Sequence, residues 1–187
     1  MSIEIRPANT LALAALKTFT DAQIGKDYYS LTDLQALMSL SLDSQGDCHS
    51  FTLVNSENEI LGIRFTFPPG NWIKEVDFPL LKSLWNIDPY NVAYFKSLFI
   101  KPELQMQGWG SKLSHFSIDK LRSIGAKAIV CHAWVESPGN SSRRYLNKMG
   151  FQELGTHPHF WAPVDYLCSG CQTKPCLCTA SEMILYL

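Results

Sequence analysis

The stretch that most constrains this chain is Gln105-Met106-Gln107-Gly108-Trp109-Gly110. It follows an apolar, strand-like run over residues 92–100 and opens a helix-like run over residues 111–124. A strand, a short turn with two glycines and then a helix together make an anion seat. Glycine lets the backbone approach a ligand closely, and the first amide N–H groups of a helix have no intrahelical partners. The helix dipole adds partial positive charge there, so a phosphate or pyrophosphate is the natural guest. The plainer reading is that Gly108 and Gly110 only shape a tight turn. A dinucleotide fingerprint would need a third glycine where Leu113 stands, and the Gly-Lys-Ser/Thr ending of a P-loop is missing.

A chain of 187 residues fits one domain carrying an elaborated loop, and 46% apolar content is enough for a real core. The net charge of −1 gives no electrostatic reason to expect nucleic acid or an anionic membrane as partner. No run approaches the roughly 20 apolar residues of a membrane span. The opening Met1-Ser2-Ile3-Glu4-Ile5-Arg6 lacks the layout of a signal peptide, so a cytoplasmic location is expected.

In chain order, residues 3–8 read as a short strand ended by proline. Residues 11–19 read as an amphipathic helix carrying Leu13, Leu16 and Phe19, capped by Asn9 or Thr10. A second helix is predicted over 31–40, with Thr32 as cap and Leu34, Leu37 and Met38 on one face. The period then changes: residues 49–55 and 60–67 alternate as the arms of a β-hairpin. Residues 71–91 read as an insertion with a short helix over 78–85 and the aromatics Trp72, Phe78, Trp85 and Tyr90. It is expected either to cap one end of the core or to shape an acceptor pocket.

After the strand at 92–100, the helix behind the glycine loop shows Leu113, Leu121 and Ile124 on one side, with Ile118 adjacent. Residues 126–134 look like a buried parallel strand, which completes a right-handed crossover unit. A helix follows over 141–149, closed by Gly150, with a strand from Phe151 and a last strand over 183–187.

Four of the six cysteines crowd into Cys168-x2-Cys171-x4-Cys176-x-Cys178, broken by Gly170 and Pro175. Such spacing can wrap thiolates around a tetrahedral structural zinc, with reduced thiols, disulfides or another metal as the alternatives. His157 and His159 stand upstream, where either could replace a cysteine.

The Gln-x-x-Gly-x-Gly pattern, preceded by Phe99-Ile100-Lys101-Pro102-Glu103, resembles the acyl-coenzyme A loop of the GNAT superfamily of N-acyltransferases. Ile5-Arg6-Pro7-Ala8 and Lys148-Met149-Gly150-Phe151 resemble two further landmarks of that family, and the order of elements is similar throughout. The resemblance implies an α/β fold of the α+β type: a mixed sheet of about seven strands, helices on both faces, and a splay between the fourth and fifth strands. It implies acetyl-CoA as cosubstrate, with pyrophosphate on the amides of Gln107, Gly108, Trp109, Gly110 and Ser111 beside Gln105. Pantetheine would add to the strand at Leu98, Phe99 and Ile100. The implied reaction is direct attack of a primary amine on the thioester, with a small molecule or peptide as acceptor and a homodimer as one open oligomeric state. A zinc loop at 168–178 would border the acceptor mouth.

Amine acylation by a thioester needs a neutral amine, a donor for the developing oxyanion and a proton for the leaving thiolate. An ammonium resembling lysine, with a pKa of about 10.4, must first give up its proton. The tyrosine that protonates the sulfur in many family members would stand at Leu146, and its neighbour Tyr145 lies about 100° around the helix. Candidate bases are Glu136 after the fifth strand, His132 on it, and Glu75 and Asp77 in the insertion. Cys131 reads as a small buried hydrophobe. Two rival readings are a catalytically weak acyl-CoA-binding module and a zinc-stapled interaction module that keeps only the fold.

Overall fold

A computed structural model of the protein describes residues 2–70 and 72–187; Asn71, first residue of the expected insertion, lies outside them. Seven strands are hydrogen-bonded in the order β1-β2-β3-β4-β5-β7-β6 as a mixed sheet, confirming the expected count and fold class. They are β1 (Ile3–Pro7), β2 (Phe51–Asn55), β3 (Ile60–Phe67), β4 (Val92–Ile100), β5 (Ala128–Trp134), β6 (Gln152–His157) and β7 (Ala180–Tyr186). Among the described residues five α-helices accompany them: α1 (Leu13–Gln23), α2 (Leu31–Leu40), α3 (Trp72–Glu75), α4 (Trp109–Ser123) and α5 (Ser141–Lys148). Among the described residues no helix is long and apolar enough to cross a membrane. The chain divides into two compact units, Met1–Pro68 with Phe95–Ala126 and Pro69–Tyr94 with Lys127–Leu187, so β4 contributes to both.

In the first unit β1 pairs antiparallel with β2, and β2 with β3, with a bulge between Leu53 and Val54. One apolar cluster joins Phe51, Leu53, Leu61 and Ile100 to Leu113 of α4. Two helix surfaces differ from the sequence reading. Ile124 is 42% exposed just beyond α4, whereas Ser114 and Ser117 are buried. Ser117 stays satisfied by donating to the Leu113 carbonyl, and Ser114 accepts from Arg64 at 2.7 Å, so small hydroxyls take places expected for apolar groups. The cap of α2 is Ser30 rather than Thr32. Ser30 Oγ accepts the Asp33 N–H at 3.0 Å while the Asp33 carboxylate accepts the Ser30 N–H at 2.8 Å, a reciprocal box.

In the second unit β7 lies between β5 and β6, antiparallel to both, with His132 directly opposite Glu182. The helix predicted over 78–85 is absent. The insertion instead carries α3 and short 3₁₀ turns at Lys82–Leu84 and Pro89–Asn91. Pro79 biases Phe78 away from helical geometry, and the Leu81 N–H is claimed by a side chain from β7. The insertion is held by its aromatics. Trp72 donates to the Val92 carbonyl at 2.8 Å and stacks on Tyr94 at 5.1 Å, with Trp85 fully buried beside it.

Candidate active site

The first component is built almost wholly from backbone. Along β4 the burial pattern changes from fully buried at Val92–Phe95 to partly exposed over residues 96–99, so the second half of the strand is partly accessible. The chain then turns through a 3₁₀ turn at Pro102–Leu104 into the glycine loop. Gln105 ties the loop back by donating to the Ile100 carbonyl at 2.9 Å, and Gln107 donates to the Glu103 carbonyl at 2.7 Å. Gly108 has φ of 82°, a left-handed conformation that L-residues adopt at a cost, and caps α4. The first ladder bond runs from the Lys112 N–H to the Gly108 carbonyl, which sets the positive end of the helix at the loop. Gly110 serves packing instead. A Cβ there would stand 3.3 Å from Leu98 Cδ2, so its absence lets α4 close on β4.

A tyrosine from the connection between α1 and α2 also reaches β4 in this unit. The Tyr29 hydroxyl lies 3.4 Å from Ser97 Oγ, and burial pushes its phenol up to about 12.

The second component is a buried acid–imidazole cluster. Glu182, completely buried on β7, accepts the Trp85 indole N–H at 2.7 Å, the Leu81 amide at 2.9 Å and His157 Nε2 at 2.7 Å. His132 Nε2 lies 3.6 Å from the same oxygen, Oε2. Burial alone would raise the Glu182 pKa, but the nearby His132 imidazole and the hydrogen bonds from Trp85, His157 and Leu81 prevail and hold it down to about 2. On its other nitrogen, Nδ1, His132 meets the Tyr94 hydroxyl at 2.9 Å. Its side chain is only 2% exposed, stacked on Phe160 at 4.2 Å and flanked edge-on by Phe78.

The third component is the cysteine loop. All four cysteines are free thiols, with Cys168 and Cys178 sulfurs 3.7 Å apart and Cys171 and Cys176 sulfurs 3.9 Å apart. Disulfide sulfurs stand about 2.05 Å apart. Thiolates about 2.3 Å from a tetrahedral zinc stand about 3.8 Å from one another. Backbone amides of Leu177 and Cys178 point at Cys171 and Cys176 at 3.4 and 3.5 Å, the stabilisation that thiolates require. The Thr173 hydroxyl holds the Cys171 thiol down to about 6, while burial pushes Cys178 up to about 12. The loop packs on Trp134 at the end of β5, where a Cβ on Gly170 would lie 2.1 Å from the indole.

Of the residues singled out in the sequence, His132 enters a hydrogen-bonded cluster. Glu136 does not: both its carboxylate oxygens accept the Thr179 N–H at 3.0 Å, fastening the end of β5 to the start of β7. Tyr145 is half-buried on α5 beside the buried Leu146. Glu75 and Asp77 are not buried in the cluster either. His157 joins Glu182 rather than the sulfurs, and His159 is exposed in a left-handed turn. Sequence reading missed Tyr94 and Glu182. Glu182 lies one residue before the predicted start of the last strand, and its only signal is a carboxylate opposite His132 once β5 and β7 are put in register.

The overall architecture is that of N-acetyltransferases. Arabidopsis thaliana NAA60 in complex with acetyl-CoA superposes with a TM-score of 0.70 at 16% identity, covering 100% of this chain and 99% of that one. The ribosomal-protein-S18-alanine N-acetyltransferase of Escherichia coli gives 0.67 at 14% identity, covering 99% and 94%. The Drosophila melanogaster polyamine N-acetyltransferase gives 0.64 at 16%, covering both chains completely. At such identities the likeness concerns the fold alone. No curated protein sequence matches the chain. The sequence pattern of the acetyltransferase (GNAT) family matches residues 16–151, and the chain belongs to that family of N-acetyltransferases.

Proposed function

We propose that the protein transfers the acetyl group of acetyl-CoA to a primary amine by direct attack on the thioester, with a peptide or small molecule as acceptor. The observation that carries the reading is the left-handed Gly108 capping α4 directly after the accessible half of β4. Gln105, Gln107, Gly108, Trp109, Gly110 and Ser111 would receive the pyrophosphate on main-chain amides at the positive end of the helix. Leu98, Phe99 and Ile100 would pair with the pantetheine arm.

For the proton of the incoming ammonium, the Tyr94–His132 pair is the best-supported acceptor. The two groups touch at 2.9 Å, and imidazole titrates in the range where an aliphatic amine must be made nucleophilic. Glu136 is the weaker candidate, since its carboxylate is engaged by Thr179. Tyr145 would need a local shift of α5 to protonate the leaving thiolate. That thiolate needs little help, with a thiol pKa of about 8.5.

Cys168, Cys171, Cys176 and Cys178 would hold one structural zinc, a closed four-thiolate site with no open coordination position. When bound, the metal would fix the loop between β6 and β7. A cytoplasmic location suits six free thiols, which persist in a reducing compartment.

Calorimetric titration with acetyl-CoA, free CoA and desulfo-CoA tests the seat. Binding of all three is expected, followed by thiol release on an amine panel spanning N-terminal peptides, polyamines and arylalkylamines. No heat with any of them would refute the assignment. Binding without thiol release on any amine would identify a non-catalytic acyl-CoA module.

A further inference from the structure

We propose that Glu182 is a positioning residue for this acyl transfer: its buried carboxylate fixes His132 with the hydrogen on Nε2, leaving Nδ1 to draw the Tyr94 hydroxyl proton. The inference rests on the reading of Tyr94 and His132 as the proton-accepting pair.

Strand register provides the arrangement. His132 and Glu182 are direct partners across β5 and β7, so their side chains leave the sheet on the same face. His132 Nε2 then looks at Glu182 Oε2 across 3.6 Å, while Nδ1 is 2.9 Å from the Tyr94 oxygen. With the hydrogen on Nδ1, the Nε2 lone pair would face a carboxylate in a site screened from water, which is repulsive. With the hydrogen on Nε2, the N–H points its positive end at the carboxylate and Nδ1 becomes an acceptor. The Tyr94 O–H must then donate to Nδ1. Three N–H donors, from Trp85, Leu81 and His157, keep the carboxylate ionised and in place.

The proton balance follows. An ammonium N–H breaks and its proton goes to the Tyr94 oxygen as the Tyr94 proton moves to His132 Nδ1. Tyrosine is unchanged, the amine is neutral, and imidazolium stands beside a carboxylate. Attack then forms the C–N bond and breaks the C–S bond. A second N–H of the attacking nitrogen breaks and its proton goes with the departing sulfur, leaving a neutral amide and the free thiol, and His132 returns its own proton to solvent.

Tyr94 from β4, Glu182 from β7 and His157 from β6 are titratable groups that face His132, and the uncharged rings of Phe78 and Phe160 pack against it. The cluster is not read as a metal centre. His157 Nε2 to Glu182 Oε2 at 2.7 Å is a hydrogen bond, shorter than the edge of about 3.3 Å between nitrogen and oxygen ligands of a tetrahedral zinc.

The test uses the full chain labelled with nitrogen-15 at histidine, with His132→Asn to assign the resonance. In the wild type, neutral His132 is expected to carry its hydrogen on Nε2. In Glu182→Gln, which keeps an acceptor for Trp85 and Leu81, the His132 titration midpoint should fall by about one pH unit. The acid limb of kcat/KM should fall with it and kcat should drop about 10-fold, with acetyl-CoA affinity within about twofold. A wild-type hydrogen on Nδ1, or an unmoved midpoint and acid limb in folded Glu182→Gln, would overturn the proposal. If Glu182→Gln does not fold, the wild-type tautomer decides alone. Should the wild type acetylate no amine, the catalytic reading fails, while the resonance measurements still judge what Glu182 does to His132.

Discussion

The glycine loop and the Glu182 cluster are opposite ways of building a functional site. The loop is made of main chain: its side chains are largely exposed, with Met106 fully so, and two glycines do the shaping. The cluster is made of side chains, each largely buried and each gripped by another. The loop should therefore tolerate almost any side-chain change except at glycine, and the cluster should tolerate almost none.

The largest expected effect lies in the cluster. Glu182→Ala strips the acceptor from a buried indole, amide and imidazole at once, which should cost about 3–5 kcal/mol in denaturant unfolding. A loss under about 1 kcal/mol would break the comparison. Acid sensitivity comes next. The Glu182 pKa is lowered in the folded protein, from 4.5 to about 2, so the stability it contributes is complete above 4.5 and lost as pH falls through about 2. That window represents on the order of 3 kcal/mol, and Glu182→Gln should flatten the stability–pH curve between those limits.

In the loop, Gly108→Val should cost about 2 kcal/mol. No atom lies within 4 Å of the added Cβ, so the cost comes from placing a β-branched residue at φ of 82° rather than from a clash. Acetyl-CoA affinity should fall more than tenfold in a protein that still folds; unchanged affinity would reduce the loop to a turn. The smallest effect belongs to Gln107→Ala, which loses one exposed bond to Glu103 and should move stability by less than about 0.5 kcal/mol. A larger loss there would show that side chains matter in the loop after all.

The same contrast decides what could be read from the residues. The strand, turn and helix around Gly108 are consecutive, and a local pattern suffices to find them. Most elements were legible for that reason, as was the grouping of the four cysteines. Failures occurred where a distant group overrode a local preference. Leu81 and Trp85 leave the predicted helix for a carboxylate 101 and 97 positions later. Ser30 and Thr32 are near neighbours with similar capping propensity, and only the return bond from Asp33 distinguishes them. Tyr94 reads as one more aromatic in an apolar strand, and only the placement of β5 gives its hydroxyl a partner.

The long reach of Glu182 also has a bearing on the order in which the molecule assembles. Its hydrogen bonds span 101 residues to Leu81, 97 to Trp85 and 25 to His157. Gln105 closes the glycine loop across 5. Contacts so remote must meet the entropy of closing long loops before they return anything, so they form late in folding. The glycine loop can be shaped while β7 is still unpaired, whereas the imidazole cluster is completed only when that strand docks. A polypeptide arrested before residue 182 would hold the shaped glycine loop without the carboxylate that Leu81, Trp85 and His157 hydrogen-bond.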